Sequence, residues 1–422
     1  MPHALALLLA ILICLALSLP TGAATPSDPR QGALNVRDFG AVGDGKTDDT
    51  AALQAALDAA GKAGGGLVFA PTGDYLIRGR LDVPANVVLE GVWRAPTART
   101  QEKGTTLLAV ADAGKEDGPP FITLHENSTL DGLTIFYPEQ TNTNPPKAYP
   151  WTIRGVADNC SLVNLLLVNP YQAVDFGTQP AGRHYIRGLY AQALRRGIFV
   201  DKCFDIGRIS DVHLWPFWEI SSDSPARQFT LEKGEAFIFG RTDWEYVNNC
   251  FCIGYAVGFH FRAFNDGGGN VLFTQSGSDV GPLAVLVDEV QEHSGISFSN
   301  CQMMAGVVVK DTNRGPVKFT SCGFWGIDKT TNHAHLSGAG TYTFTACHFV
   351  SWGQADPQAP ALLARGGSLI VNGCDFVEAG KNQVALMPGV ESAVIMGNRL
   401  RGGAKIKNES QAEAQMGLNV TR

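Results

Sequence analysis

Four segments of this chain, residues 296–301, 317–322, 342–347 and 368–374, repeat one pattern: an alternating run, a small polar turn and a cysteine. The cysteines are Cys301, Cys322, Cys347 and Cys374, each followed two positions on by Met303, Phe324, Phe349 or Phe376. Their spacings of 21, 25 and 27 residues are too short for separate domains and too regular for loops. A repeat of this length cannot bury its apolar face alone and does so by stacking on its neighbours, so each repeat is one coil of a solenoid. The alternating strands make it an all-β right-handed single-stranded parallel β-helix. Such a solenoid offers a long flank suited to a polymer.

The composition fits strands and turns. There are 48 glycines, 22 prolines and 22 phenylalanines in 422 residues, with only 17% charged residues. Because a solenoid core grows in one dimension, the length is compatible with one elongated domain. A net charge of -7 without a dense Lys/Arg block argues against nucleic acid as a partner.

Residues 5–19 are almost wholly apolar, and Pro20, Gly22 and the small Ala23-Ala24 pair follow. This reads as a signal peptide over residues 1–23, with a flexible stretch at 24–34 and a secreted or periplasmic destination. No other run is long enough to span a membrane, so the mature chain is expected not to be membrane-embedded. Loss of Cys14 would leave eight cysteines. Their matching places in successive coils point to a ladder of buried, mostly free thiols. The sequence assigns no metal site: Cys250 and Cys252 lack a Cys-x-x-Cys partner, and His333 with His335 lacks a third ligand.

Residues 35–45 end in glycine turns, and Thr47-Asp48-Asp49-Thr50 leads into an alanine-rich helix with apolar positions 52, 53, 56 and 57. Gly64-Gly65-Gly66 then releases a first strand, 67–71. Laid across the solenoid's open end, such a helix would shield its edge from pairing with another chain. The expected β-helix runs from 35 to 410, with 411–422 as a tail or small cap.

The run Asn35-Val36-Arg37-Asp38-Phe39-Gly40-Ala41-Val42-Gly43-Asp44-Gly45-Lys46-Thr47-Asp48-Asp49-Thr50, with Gly66-Leu67-Val68-Phe69-Ala70-Pro71-Thr72-Gly73-Asp74-Tyr75, resembles the opening of the pectate-lyase-like superfamily. That resemblance implies the same β-helix. It leaves the reaction open, because the superfamily includes polygalacturonases, rhamnogalacturonases, epimerase-like proteins and tailspikes. The paired-aspartate motif expected of polygalacturonase-like hydrolases and an established pectate-lyase arginine motif are both absent from the sequence.

Polar and aromatic residues concentrate between Asp201 and Asp279. Trp215 and Trp218 suit sugar stacking, with Glu219, His213, Lys202 and His260 as further substrate contacts. Strand alternation would place Asp243 and Glu245 on one face and Trp244 and Tyr246 on the other. Glycoside hydrolysis uses two carboxyl groups about 5–9.5 Å apart. Asp243 or Glu245 is therefore the expected proton donor, and Asp201 or Asp279 its partner. Arg262 would hold a uronate carboxylate or assist proton removal beside it. Residues 137–151 and 218–235 leave the coil rhythm, the first as a candidate cleft wall. The sequence thus points to a secreted glycoside hydrolase acting on a polysaccharide, with no cofactor required. The alternatives are a uronate lyase, with calcium as its candidate cofactor, and a non-catalytic glycan-binding or tailspike-like β-helix. Self-association is left open.

Overall fold

Alternating runs of four to seven residues become strands that run in one direction and pair in parallel with the coils before and after. The computed structural model describes residues 32–94, 104–327 and 330–422. Among them, a 13-stranded ladder runs from Leu81–Val83 to Ile406–Asn408, and a second ladder has 26 strands. In the larger ladder the strip bends. Arg208–Leu214 pairs first with Glu245–Asn248 and, past the bend, with Phe251–Ile253.

The bend is a column of left-handed residues, one per coil: Asn164, Gly188, Asp211, Asn249, Gln275, Asn300, Ser321, Ala346, Gly373, Gly397 and Leu418, at φ 50 to 69°. This is the small polar turn of the repeat. The residue after it points inward, and there the cysteines stack. All eight cysteines of the described residues are buried and unpaired, as a thiol ladder requires. Two rungs accept a backbone N–H from the coil before them: Cys301 Sγ from Ser276 N at 3.5 Å, and Cys374 Sγ from Cys347 N at 3.4 Å. Ser276 Oγ and Asn398 Oδ1 take the same role toward Cys250 N and Cys374 N, at 3.1 and 2.8 Å. Burial raises the Cys250 and Cys252 thiols to about 12, so they stay protonated. Beside the thiols, Phe273, Phe298, Phe319 and Phe344 form a continuous stack with centroid spacings of 4.4, 5.0 and 5.2 Å.

Helix α1, Thr50–Lys62, buries Leu53, Ala56, Leu57 and Ala60 against the first coils. Asp49 precedes it but makes no side-chain cap. Its carboxylate instead accepts from the amides of Val42 and Gly43, at 2.6 and 2.9 Å, pinning the preceding loop. Residues 34–422 form one compact unit. The ladder continues beyond residue 410, because Glu413–Gly417 pairs with Val390–Met396. Among the described residues no helix is long and apolar enough to cross a membrane. The expected signal segment lies outside the described residues.

Candidate functional site

Past the bend, strand alternation carries one row of side chains outward: Leu166, Tyr190, His213 and Phe251 in successive coils. Tyr190, His213 and Phe251 form the floor of a groove of about 560 Å³, whose rim includes Arg187, Asp211 and Asn249, while Leu166 is fully buried. Arg187 Nε lies 3.7 Å from Asp211 Oδ2, and Asn249 Nδ2 donates to Asp211 Oδ1 at 2.8 Å. The His213 ring stacks on Trp215 at 5.5 Å and meets Phe251 edge-on at 5.1 Å and Tyr190 at 5.9 Å. Burial among these rings lowers the imidazole's pKa, so His213 is neutral near pH 7.

Of the expected substrate contacts, the structure gathers His213, Trp215 and Trp218. Trp215 also packs on Phe217, and Trp218 leans on the cluster of Trp93, Leu166 and Val168, so both rings are half-buried rather than free platforms. Glu219 is a tie between the two insertions. It accepts from Asn142 Nδ2 at 2.7 Å, while Asn142 Oδ1 accepts from Ala226 N in helix α2, Pro225–Lys233. Gln192 Oε1 holds the other side by accepting the Trp218 and Glu219 amides.

The expected carboxylate pair is not assembled. Trp244 sits at φ 63°, which breaks the alternation before the strand Glu245–Asn248 begins. Asp243 therefore stays at the surface with Arg241 at 2.9 Å and Gln291 at 2.8 Å, whereas Glu245 turns inward and is fully buried. Trp244 and Tyr246 are both exposed. Asp201 lies in a turn, where its carboxylate accepts from Arg241 N at 2.6 Å and burial raises its pKa. Lys202, also in that turn, donates to the Thr178 carbonyl at 2.9 Å. Asp279 pairs in register with Ile253, at the opposite end of its coil from Asp243, so the two do not form a catalytic pair. Burial raises Asp279's pKa, and its Oδ1 has no protein partner.

His260 and Arg262 share a face, as alternation required, with Phe259 and Phe261 buried behind them. They belong to an ionic ladder on the 13-stranded sheet. His260 bridges Glu235 at 2.5 Å and Asp288 at 3.2 Å, Arg262 lies 3.8 Å from Asp288, and Lys310 lies 2.7 Å from it. Burial opposes ionisation of Asp288, but His260 and Lys310 outweigh it and hold the carboxyl down at about 2. Each charge there is already answered, which suits a stabilising network better than a reacting one.

Arg187, Tyr190 and Asp211 are groove residues that the sequence did not single out as substrate contacts. The usable signal was register: Tyr190 and His213 stand 23 residues apart, one coil, at the same offset from the bend.

Residues 33–209 match the family model described as "Rhamnogalacturonase A/epimerase, pectate lyase-like". The chain is 51% identical over 70 residues to alginate lyase 7 of Azotobacter vinelandii, a match spanning 15% of this chain and 8% of that one. It is 23% identical over 332 residues to the tail spike protein of Shigella phage Sf6, covering 74% of this chain and 48% of that protein. The fold is similar to that of the pre-mature bacteriophage phi29 gene product 12, with a TM-score of 0.62 and 13% identity, over 90% of this chain and 56% of that one. The chain thus spans under half the length of either curated relative. It is a parallel β-helix related to the pectate-lyase and epimerase superfamily.

Proposed function

We propose that the aromatic groove binds a uronate-containing polysaccharide and cleaves it by β-elimination, in an exported protein. The observation that carries this reading is a neutral histidine set in an aromatic floor beside an arginine. Arg187 would pair with the uronate carboxylate and drain charge from it as the adjacent C–H weakens. His213 would take that proton, and the freed electron pair would form a C=C bond as the C–O bond to the leaving sugar breaks. The departing oxygen collects a proton from solvent. Tyr190, Trp215 and Phe251 supply apolar surface for sugar faces. The hydrolase expectation, which needed Asp243 or Glu245 as proton donor, is less well supported: Glu245 is sealed in the core, and Asp243 is engaged by Arg241 and Gln291. The groove lining offers one carboxylate, Asp211, so no step is routed through calcium.

A second reading, a glycan binder without turnover, is favoured by the Asp211 carboxylate already standing near Arg187. The likeness to a tail spike protein supports it as well. Incubating the exported protein with alginate, pectate and neutral glucans separates these readings. Unsaturated-product absorbance on a uronate polymer, lost in His213→Ala, supports elimination. Reducing ends without that absorbance overturn it, and binding without product leaves the binder.

A further inference from the structure

Among the described residues, one buried cluster inside the coils gathers three side chains able to ligate a metal. The inward row just before the large ladder reads Cys160, His184, Gly207, Glu245 and then Val271 and Ile296, one residue per coil, as fixed by the pairings Ser161↔Tyr185↔Arg208↔Tyr246↔Leu272. His184 and Glu245 are two coils apart, and they touch because Gly207 between them has no side chain. A Cβ there would lie 2.1 Å from Glu245 Oε2 and 2.6 Å from His184 Nε2. Cys203, from the adjoining turn, closes the third side. One donor atom from each of His184, Cys203 and Glu245 lies within 4.8 Å of the other two, and all three residues are fully buried.

Hydrogen bonding fixes what each atom offers. His184 Nδ1 lies 2.8 Å from the Ala181 carbonyl, which only accepts, so Nδ1 carries a proton and donates it. In neutral imidazole Nε2 then presents a lone pair, and it does so 2.9 Å from Glu245 Oε1. Two acceptors at that distance require a cation or a proton between them. A proton on Nε2 would satisfy Oε1 alone, leaving Glu245 Oε2 buried without a partner. A buried carboxylate oxygen without a partner is costly, and the Cys203 thiol, which donates to the Asp205 carbonyl at 2.7 Å, stands beside it as a third possible ligand. A divalent metal answers all three atoms together. With neutral imidazole, thiolate and carboxylate the charges sum to zero, which suits an interior that excludes net charge.

We infer that His184, Cys203 and Glu245 form a buried three-ligand site for zinc or a metal of similar softness, tying successive coils together from inside. Nitrogen, sulfur and carboxylate oxygen form a donor set that zinc accepts in tetrahedral sites, and His184 Nδ1 already has the carbonyl partner that orients such ligands. Binding displaces the Cys203 thiol proton and any proton shared by His184 and Glu245, which leave to solvent.

The test is cobalt substitution of the full folded chain after chelation and dialysis. One equivalent of Co²⁺ should bind with a thiolate-to-cobalt charge-transfer band, and Zn²⁺ should displace it stoichiometrically. Cys203→Ser should abolish the band, and Glu245→Gln should weaken Zn²⁺ binding at least about a hundredfold, in line with loss of a ligand. Cys322→Ala, which removes a thiol of the separate ladder, should leave both intact. Zn²⁺ should also raise the melting temperature of the parent and not of Cys203→Ser. A parent without the band, or a band that survives Cys203→Ser, overturns the inference. If Glu245→Gln does not fold, the parent and Cys203→Ser decide.

Discussion

A histidine enclosed by rings is a weaker base than one in water, and for His213 this fixes the direction of its pH response. Its folded pKa lies below the unfolded value of about 6.5, because burial disfavours the imidazolium. As pH falls through the unfolded value, the unfolded chain takes up the proton first, so this residue's contribution to stability declines from there to the folded pKa. As the base of an elimination it must be neutral, so the acid limb of kcat/KM should lie below about pH 6.5. His213→Asn should lower kcat by at least about a hundredfold and remove that limb, whereas Arg187→Ala should both raise KM for the uronate polymer and lower kcat while keeping the limb. Equal activity of both variants on a substrate the parent cleaves would end the elimination reading. At this scale the sequence named His213, Trp215 and Trp218 as substrate contacts, and the rings of the first two stand 5.5 Å apart in the structure. It misled at Glu245, because one left-handed residue, Trp244, reverses the face of every side chain after it, and a tryptophan gives no hint of that conformation.

The bend column controls the coil as an element. A non-glycine residue in the left-handed region costs about 1–2 kcal/mol, which Asn and Asp offset by hydrogen bonding locally. Four of the eleven rungs are Asn or Asp and three are Gly, but Ala346 holds φ 52° with an exposed side chain that offers no such bond. Ala346→Asn should therefore stabilise the protein by about 0.5–1 kcal/mol, read as a higher urea midpoint at unchanged slope. The interior side of the same turn predicts the reverse for Asn398. Its amide accepts from Cys374 N at 2.8 Å and donates to the Val371 carbonyl at 3.0 Å. Removing it in Asn398→Ala strands both buried groups and should cost about 2–3 kcal/mol. The turn and the inward cysteine were legible because they recur together four times. The bend itself was not, since Ser, Ala, Asn and Gly share no chemical property other than small size, and only the register reveals that they stand in one column.

For the whole molecule, stacking means that each coil is stabilised by the two beside it, so a lesion in the middle acts on the coupling between the two sides. The fold class was readable from the sequence because this coupling repeats the same contacts at near-constant spacing. The site was not, because it is made by neighbours one coil apart, and residues 218–235 stretch that spacing beside the groove. Phe319 is the natural place to probe the coupling. Its ring stacks between Phe298 at 5.0 Å and Phe344 at 5.2 Å, and it meets Phe324 edge-on at 5.3 Å. Phe319→Ala empties a fully buried site and should cost about 3–5 kcal/mol locally. In a globular domain that loss would lower a single midpoint. Here it also weakens the link between the coils that carry the groove and those that follow, so the C-terminal coils should open at lower urea than the rest. The measurement is hydrogen exchange against urea. Amides of Thr341–Thr345 and Gly367–Asn372 should lose protection first in the variant, while those of Tyr185–Ala191 keep the parent's dependence. A uniform loss of protection along the chain would show that the coils unfold as one unit and that stacking does not divide them.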